Sequence, residues 1–302
     1  MKRICGIFLM TFWMTSMLAA LGTAQKVSQI LAIKQLGFEL SVGVGLDRPG
    51  SLLLRTKGTD ELMRQYAEGS GASLVEAGRF RENIPSLPLR VALAYRLDSY
   101  WTVKGGLGLS FGVTSGEKSF ALGYSSGTKE EFDVNVRNRL TLVSPFLEVE
   151  HVLGRFAVFA GVGLHWGRLS HRLQVKRAAG GTIADLTEEI GATGNGPLAY
   201  FGGAYRHALS AHTALLFRLE MGFSRIGGWD GEKNSLESDN MGNQLQRSAQ
   251  GELTRYEWNP YGRGWVGYWD LAGVVADEVL YRGVSALSSA FSGVRFSIGF
   301  CF

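Results

Sequence analysis

From Val294 onward every second residue is apolar: Val294, Phe296, Ile298, Phe300 and Phe302 alternate with Arg295, Ser297, Gly299 and Cys301. A side-chain period of two belongs to a β-strand with one greasy and one polar face. Seven earlier segments repeat the pattern. Leu36, Phe38, Leu40, Val42, Val44 and Leu46 share one face against Gly37, Glu39, Ser41, Gly43 and Gly45. Leu87, Leu89, Val91, Leu93, Tyr95 and Leu97 oppose Arg90, Ala92, Ala94 and Arg96. Trp101, Val103, Leu107, Leu109, Phe111 and Val113 oppose Thr102, Lys104, Gly106, Gly108 and Ser110. The fourth segment, 143–151, sets Pro145, Leu147 and Val149 against Glu148 and Glu150, with Phe146 breaking the pattern. The fifth sets Phe156, Val158, Ala160, Val162, Leu164 and Trp166 against Gly161, Gly163, His165 and Gly167. The sixth, 198–207, is Gly-rich and ambiguous in phase, and the seventh sets Leu215, Phe217, Leu219, Met221 and Phe223 against Arg218, Glu220 and Gly222.

Segments of about ten residues suit tilted membrane strands. The connections alternate in length. Asp98-Ser99, 152–154 and Ser210-Ala211 predict tight turns, whereas 47–86, 114–138, 168–196 and 225–283 predict long loops. Short turns on one side and long loops on the other are the usual asymmetry of outer-membrane barrels. The expected fold is all-β, an antiparallel transmembrane β-barrel of eight strands with short periplasmic turns and long extracellular loops. Ten strands is the alternative, with the extra hairpin drawn from 265–275. Tyr95, Tyr100, Trp101, Phe156, Trp166, Phe223 and Phe302 sit near strand ends, as interfacial girdles require, although aromatics also favour strands in general. Residues 61–67 predict a short helix in the first long connection.

The beginning of the sequence adds an address. Lys2 and Arg3 precede a mostly apolar run over 4–21, and Gly22-Thr23-Ala24 is a small-residue cleavage site. Residues 1–24 therefore predict a secretory signal peptide, with a membrane anchor as the alternative, and 25–302 the barrel domain. No later stretch is long and apolar enough for a transmembrane helix, so a membrane-embedded chain of this kind has to close its strands into a barrel. Glycine is abundant at 41 residues, roughly twice the ordinary share, and proline is scarce at 6. The formal charge of +4 falls by two when Lys2 and Arg3 leave with the leader, which gives no basis for a nucleic-acid partner. Cys301 alone remains after processing, so no intrachain disulfide is expected.

The candidate chemistry lies on the face opposite the greasy one. Glu39, Glu148, Glu150 and Glu220 share it with Arg90, Lys104, Arg218 and Arg295. A midplane arginine facing lipid would cost about 2–4 kcal/mol, so these charges are expected inside. Glu39, Arg218, Glu220 and Arg295 fall at similar heights on strands expected to be neighbours, and form either a polar gate or a structural plug. The histidines have no metal-ligand spacing and no glycine-rich phosphate loop precedes a helix, so no metal, cofactor or catalytic residue is expected. In the last connection Tyr256, Trp258, Tyr261, Trp265, Tyr268 and Trp269 crowd beside Arg255 and Arg263, a composition suited to a contact surface or to a self-packed loop.

Three features together resemble small bacterial outer-membrane barrels of the OmpW and OmpA-transmembrane-domain type. They are the overall pattern, the run 144–149 leading through a tight turn into 156–163, and the final segment. The resemblance implies a bacterial outer-membrane location and a terminal assembly signal in Phe296, Ile298, Phe300 and Phe302. It implies outer-membrane lipid and the barrel-assembly machinery as partners, and an OmpW-like role in passing or binding small hydrophobic solutes. No peptidoglycan-binding domain follows, so wall anchoring is not expected. The alternative is a surface adhesin or ligand-binding antigen, whose barrel displays its loops to a host surface ligand. Enzymatic activity is not expected on either reading.

Overall fold

The computed structural model describes residues 36–210, 213–272 and 280–302; the leader expected over 1–24 lies outside them. Among the described residues the chain is antiparallel β-structure with one α-helix. The strands are β1 (Leu36–Arg48), β2 (Ser73–Arg79), β3 (Ile84–Arg96), β4 (Trp101–Gly123), β5 (Lys129–Leu153), β6 (Phe156–Ala179), β7 (Thr182–Ala208), β8 (Ala214–Asp239), β9 (Gln244–Trp258), β10 (Val266–Leu271), β11 (Tyr281–Ala286) and β12 (Ser289–Cys301). The helix α1 (Leu54–Ser70) follows a short 3-10 turn between β1 and β2.

Eight strands form a ring in the order β1, β3, β4, β5, β6, β7, β8, β12 and back to β1. The hairpin expected from 265–275 does not enter it. Its described part gives β10, which pairs with β9 outside the ring. The ring is not evenly closed. Between β1 and β3 the ladder runs to Val42 opposite Leu89 and resumes at Gly45 opposite Ser86. Pro88, within the skipped stretch, has no N–H to donate. The wall is also uneven in height: β1, β3 and β12 have 13 residues each, whereas β7 has 27 and β8 has 26.

That unevenness corrects the expectation of long loops. Residues 114–138 and 168–196 are mostly strand, because β4 to β7 run on past the segments read from the alternation. The β6–β7 turn is Gly180-Gly181 alone, with φ of +55° and +87°. Two consecutive positive φ values define the two-residue turn that matches strand twist, and glycine adopts them without strain. The first and last connections likewise carry ordered elements: α1 and β2 in one, β9 to β11 in the other.

The alternation itself changes sense along a single strand. On β5, Val143, Pro145, Leu147 and Val149 face outward and Ser144, Phe146, Glu148 and Glu150 face inward. Further up, Glu131, Asp133, Arg137 and Arg139 face outward and Phe132, Val134, Val136 and Leu140 are buried. On β6 the outer face changes from Trp166 to Arg168, and Trp166 stands opposite Val143 while Arg168 stands opposite Thr141. On β5 and β6 the change therefore falls on the same row, whereas on β4 the apolar outer face continues past it to Phe111 and Val113, opposite Thr141 and Arg139. Below that row, apolar residues face out and charges face in. Above it the order is that of a water-soluble protein.

The upper part holds an apolar core of Leu140, Leu142, Leu169, Ile190, Trp229, Leu253, Trp269 and Phe291. There the strand path ends in β10 on one side and β2 on the other, and α1 packs against both. The helix is longer than the expected 61–67. It ends at Gly71, whose left-handed φ of +69° lets Ala72 N–H reach the Ala67 carbonyl.

The β1–β12 seam leaves no room on its inner side. A Cβ on Gly299 would lie 2.2 Å from the Leu40 carbonyl oxygen. Gly299→Val should lower the urea midpoint of the folded protein, with a loss of about 1–3 kcal/mol from overpacking. Gly191→Ala, where a Cβ meets nothing within 4 Å, is the control and should leave the midpoint unchanged. Equal midpoints for the two variants would contradict the seam geometry.

Candidate functional site

Alternation fixes which residues enter the ring, and cross-strand register fixes which of them meet. Lys104 on β4 stands opposite Glu148 on β5, and Arg295 on β12 opposite Glu220 on β8. From these pairs a connected set of charges fills the lower lumen. Glu148 is paired with Arg90 at 2.5 Å, with Lys104 at 3.4 Å and with Arg218. Lys104 also holds Glu39 and Glu150, each at 2.6 Å. Glu220 takes Arg218 at 3.3 Å, Arg295 at 3.4 Å and Arg90 at 3.5 Å. All eight charges expected inside are thus brought together.

Two members were missed by reading the sequence. Arg206 pairs with Glu150, and Asp47 pairs with Arg295 at 3.1 Å. Arg206 lies in the Gly-rich segment of ambiguous phase, and Asp47 in a stretch read as loop. With them the set holds five carboxylates (Glu39, Asp47, Glu148, Glu150, Glu220) and five cations (Arg90, Lys104, Arg206, Arg218, Arg295). The charges balance, as a confined interior demands.

Aromatic side chains complete the packing. The Arg90 guanidinium lies 3.6 Å from the centroid of Phe146, and that of Arg218 lies 3.5 Å from Phe159. Arg90 also donates to the Tyr200 hydroxyl at 3.1 Å. Phe146, which interrupts the alternation in the sequence, is therefore an inward cation-π partner. Below the set an open funnel of about 430 Å³ is lined by Glu39, Arg96, Lys104, Arg206 and Cys301. Among the charges themselves only about 50 Å³ is open, beside Ser41, Arg90, Ser144, Tyr200, Arg218 and Arg295. At this level the side chains leave little open space.

Two smaller charge sets tie α1 into the upper part. Arg55 is buried against Glu188 and Asp270, the latter at 3.1 Å, and Lys233 joins the same carboxylates at 2.9 and 2.8 Å. Arg64 on the helix reaches Glu76 on β2 at 2.8 Å, and Lys118 on β4 reaches Glu76 at 2.7 Å and Asp60 on the helix. Hydrogen bonds from Arg64 and then Lys118 hold the Glu76 carboxyl down at about 2.

The other expected residues divide. Phe296, Ile298, Phe300 and Phe302 all face outward, and Phe302 exchanges backbone hydrogen bonds with Phe38 at 2.8 and 3.0 Å. The aromatic crowd in the last connection, read as a contact surface or a self-packed loop, is largely internal. Tyr256, Tyr268 and Trp269 are buried, Trp258 is half-buried and stacks on Tyr281, and Tyr261 and Trp265 alone of the six are exposed. Trp269 is held by an indole hydrogen bond to the Leu52 carbonyl at 3.0 Å, and Tyr268 and Trp269 flank Arg55. The crowding reflects core packing around a buried arginine. Comparison with protein-family models returns no match, and comparison with curated proteins returns none.

Glu148→Gln keeps the volume but removes a carboxylate shared by three cations. Breaking a fully buried pair costs about 3–5 kcal/mol, and the urea midpoint should fall accordingly. Arg295→Ala should cost less, because Arg295 lies at the more open edge of the set. A Glu148→Gln midpoint equal to wild type would show that the charge set does not contribute to stability.

The Glu76 clamp gives a pH dependence. Its folded-state value lies below its ordinary one, so its contribution is complete above about pH 4.5 and is lost as pH falls toward about 2. The wild-type urea midpoint should therefore drop between pH 7 and pH 3 by more than that of Glu76→Gln. Parallel drops would show that Glu76 is not linked to folding.

Proposed function

We propose that this chain is an outer-membrane β-barrel with a closed lumen, acting at the cell surface as a binding or display protein rather than as an open pore. The carrying observation is the reversal of the alternation partway up β5 and β6. At about 3.4 Å per residue and a tilt of about 40°, residues 156–166 of β6 rise about 26 Å. That height matches the apolar band of about 25 Å typical of outer-membrane barrels. In water, the outward Leu40, Val44, Leu147, Val162, Phe201, Leu219 and Phe300 would form an exposed apolar surface far beyond what a soluble monomer carries. In lipid they are at home, and the inward charges are sheltered.

The balanced set of ion pairs supports the closed lumen, and so does the packed upper part, where α1 and the apolar core occupy the space that a channel would need. The shape resembles the adhesin or ligand-binder alternative more than the transport one. One observation favours solute passage by a different route. An open groove of about 600 Å³ on the outer face, lined by Val44, Leu46, Pro85, Leu87, Phe111 and Phe296, adjoins the interrupted β1–β3 ladder. A hydrophobic solute leaving sideways there would not cross the plug.

Refolded protein in planar bilayers should show no stepwise conductance, and tags near Gly127 and Asn240, at the β4–β5 and β8–β9 turns, should be detected on intact cells. Steady ion conductance would overturn the closed-lumen reading. Detection of the tags only after permeabilisation would reverse the orientation.

A further inference from the structure

Just above the apolar belt, one side of the wall carries a group of four arginines, three of which form no ion pair among the described residues. On β5 the outward residues rising from the belt are Thr141, Arg139 and Arg137; beside them on β6 are Arg168, Ser170 and Arg172. Arg137 stands directly opposite Arg172, and Arg139 and Arg168 are diagonal neighbours. All four are exposed. Among the described residues Arg137, Arg139 and Arg168 form no ion pair, and Arg172 meets Glu189 at 3.4 Å with both side chains exposed. Like charges facing each other across strands are unfavourable without a counter-charge. The group is one-sided. On the first row above the belt at the β12–β1 seam stand Ser292 and Arg48, and Arg48 lies 3.8 Å from Glu82.

The same place is concave. A cavity of about 420 Å³ opens to the outside there, lined by Thr141, Val143, Trp166, Arg168, Asn195 and Asp230. It straddles the row where the outer face changes, so its lower wall is Val143 and Trp166 and its upper wall bears Arg168. An irregularity in the β7–β8 ladder between Thr193 and Asn195 lies at its edge.

We propose that this surface binds a lipid whose headgroup carries two phosphates, of the kind found in the outer leaflet of a bacterial outer membrane. The acyl chains lie along the apolar belt below Trp166, and the phosphates meet the arginines above it. Guanidinium groups bind phosphate oxygens through paired, charge-assisted hydrogen bonds, and the vertical spread of the cluster allows more than one phosphate to be met at once. Asp230 is the carboxylate at the cavity, and it leaves the upper arginines free. The site deepens the outer-membrane reading and rests on it.

The test uses the full refolded chain in two steps. Flotation with neutral phosphatidylcholine vesicles first reads membrane insertion; failure to float overturns the membrane reading and this site with it. Titration of the floated protein with diphosphoryl lipid A, followed by tryptophan emission, then reads the site, with Trp166→Phe assigning the signal. Saturable binding is expected, and Arg139→Gln/Arg168→Gln/Arg172→Gln should weaken it about tenfold or more. The triple lysine variant keeps the charge and should recover most of the affinity, and Arg168→Gln alone stands in if the triple glutamine variant does not fold. Equal binding by wild type and glutamine variants overturns the site alone, and so does equal binding of phosphatidylglycerol. Full competition by inorganic phosphate would mark a free-phosphate site and overturn the lipid assignment.

Discussion

Glu148 is shared among Arg90, Lys104 and Arg218 near the axis of the ring, and the lower half of the molecule depends on keeping that sharing complete. An antiparallel ring forces every second side chain inward, whatever its polarity. An eight-strand interior is only about wide enough for those side chains, so a charge placed there has little water to fall back on. Stability then requires that carboxylates and cations match in number and in position. Register supplies the position, through Lys104 opposite Glu148 and Arg295 opposite Glu220. Phe146, Phe159 and Tyr200 fill the remaining space with faces that guanidinium groups tolerate.

The upper half obeys the opposite rule with the same strands. Its interior is apolar, its exterior charged, and its few buried charges are clustered where α1 must be held. Arg55, Lys233, Glu188 and Asp270 are one such cluster, with Tyr268 and Trp269 against the guanidinium. The helix takes the place of wall between β2 and β10. One chain therefore contains two cores of opposite polarity, which on β5 and β6 meet at Val143 and Trp166.

The lower half was legible in the sequence because its contrast is high: long apolar residues alternate with glycine, serine and charge. The inward phase of Glu39, Arg90, Lys104 and Arg218 follows from that contrast alone. The upper strands were not legible as strands. Their alternation is reversed, and stretches such as Thr187-Glu188-Glu189 or Ser235-Leu236-Glu237 show little of it, so they read as polar loops. The signal available was the change of phase within a continuous run, as from Val134 and Val136 to Val143 and Leu147. Arg206 was hidden among glycines that fix no phase. Composition left Tyr256, Tyr268 and Trp269 open between a surface and a self-packed loop, because it does not reveal what a loop folds over, here the side chain of Arg55.

The ring also imposes an order of events. Arg295 reaches Asp47 across a separation of 248 positions, while its other partner, Glu220, is 75 positions away on the strand beside it. Hairpins from β3 to β8 assemble from near neighbours, but β1 can meet β12 only when the two far ends of the ring come together. Contacts of such long range form slowly, because loop closure precedes any gain. Glu39 and Asp47 arrive on β1, and Arg295 arrives on β12. The ion-pair set therefore cannot be completed in a partly rolled sheet, and the residues that fill the lower lumen are also those that tie the two far ends of the ring together, late in folding.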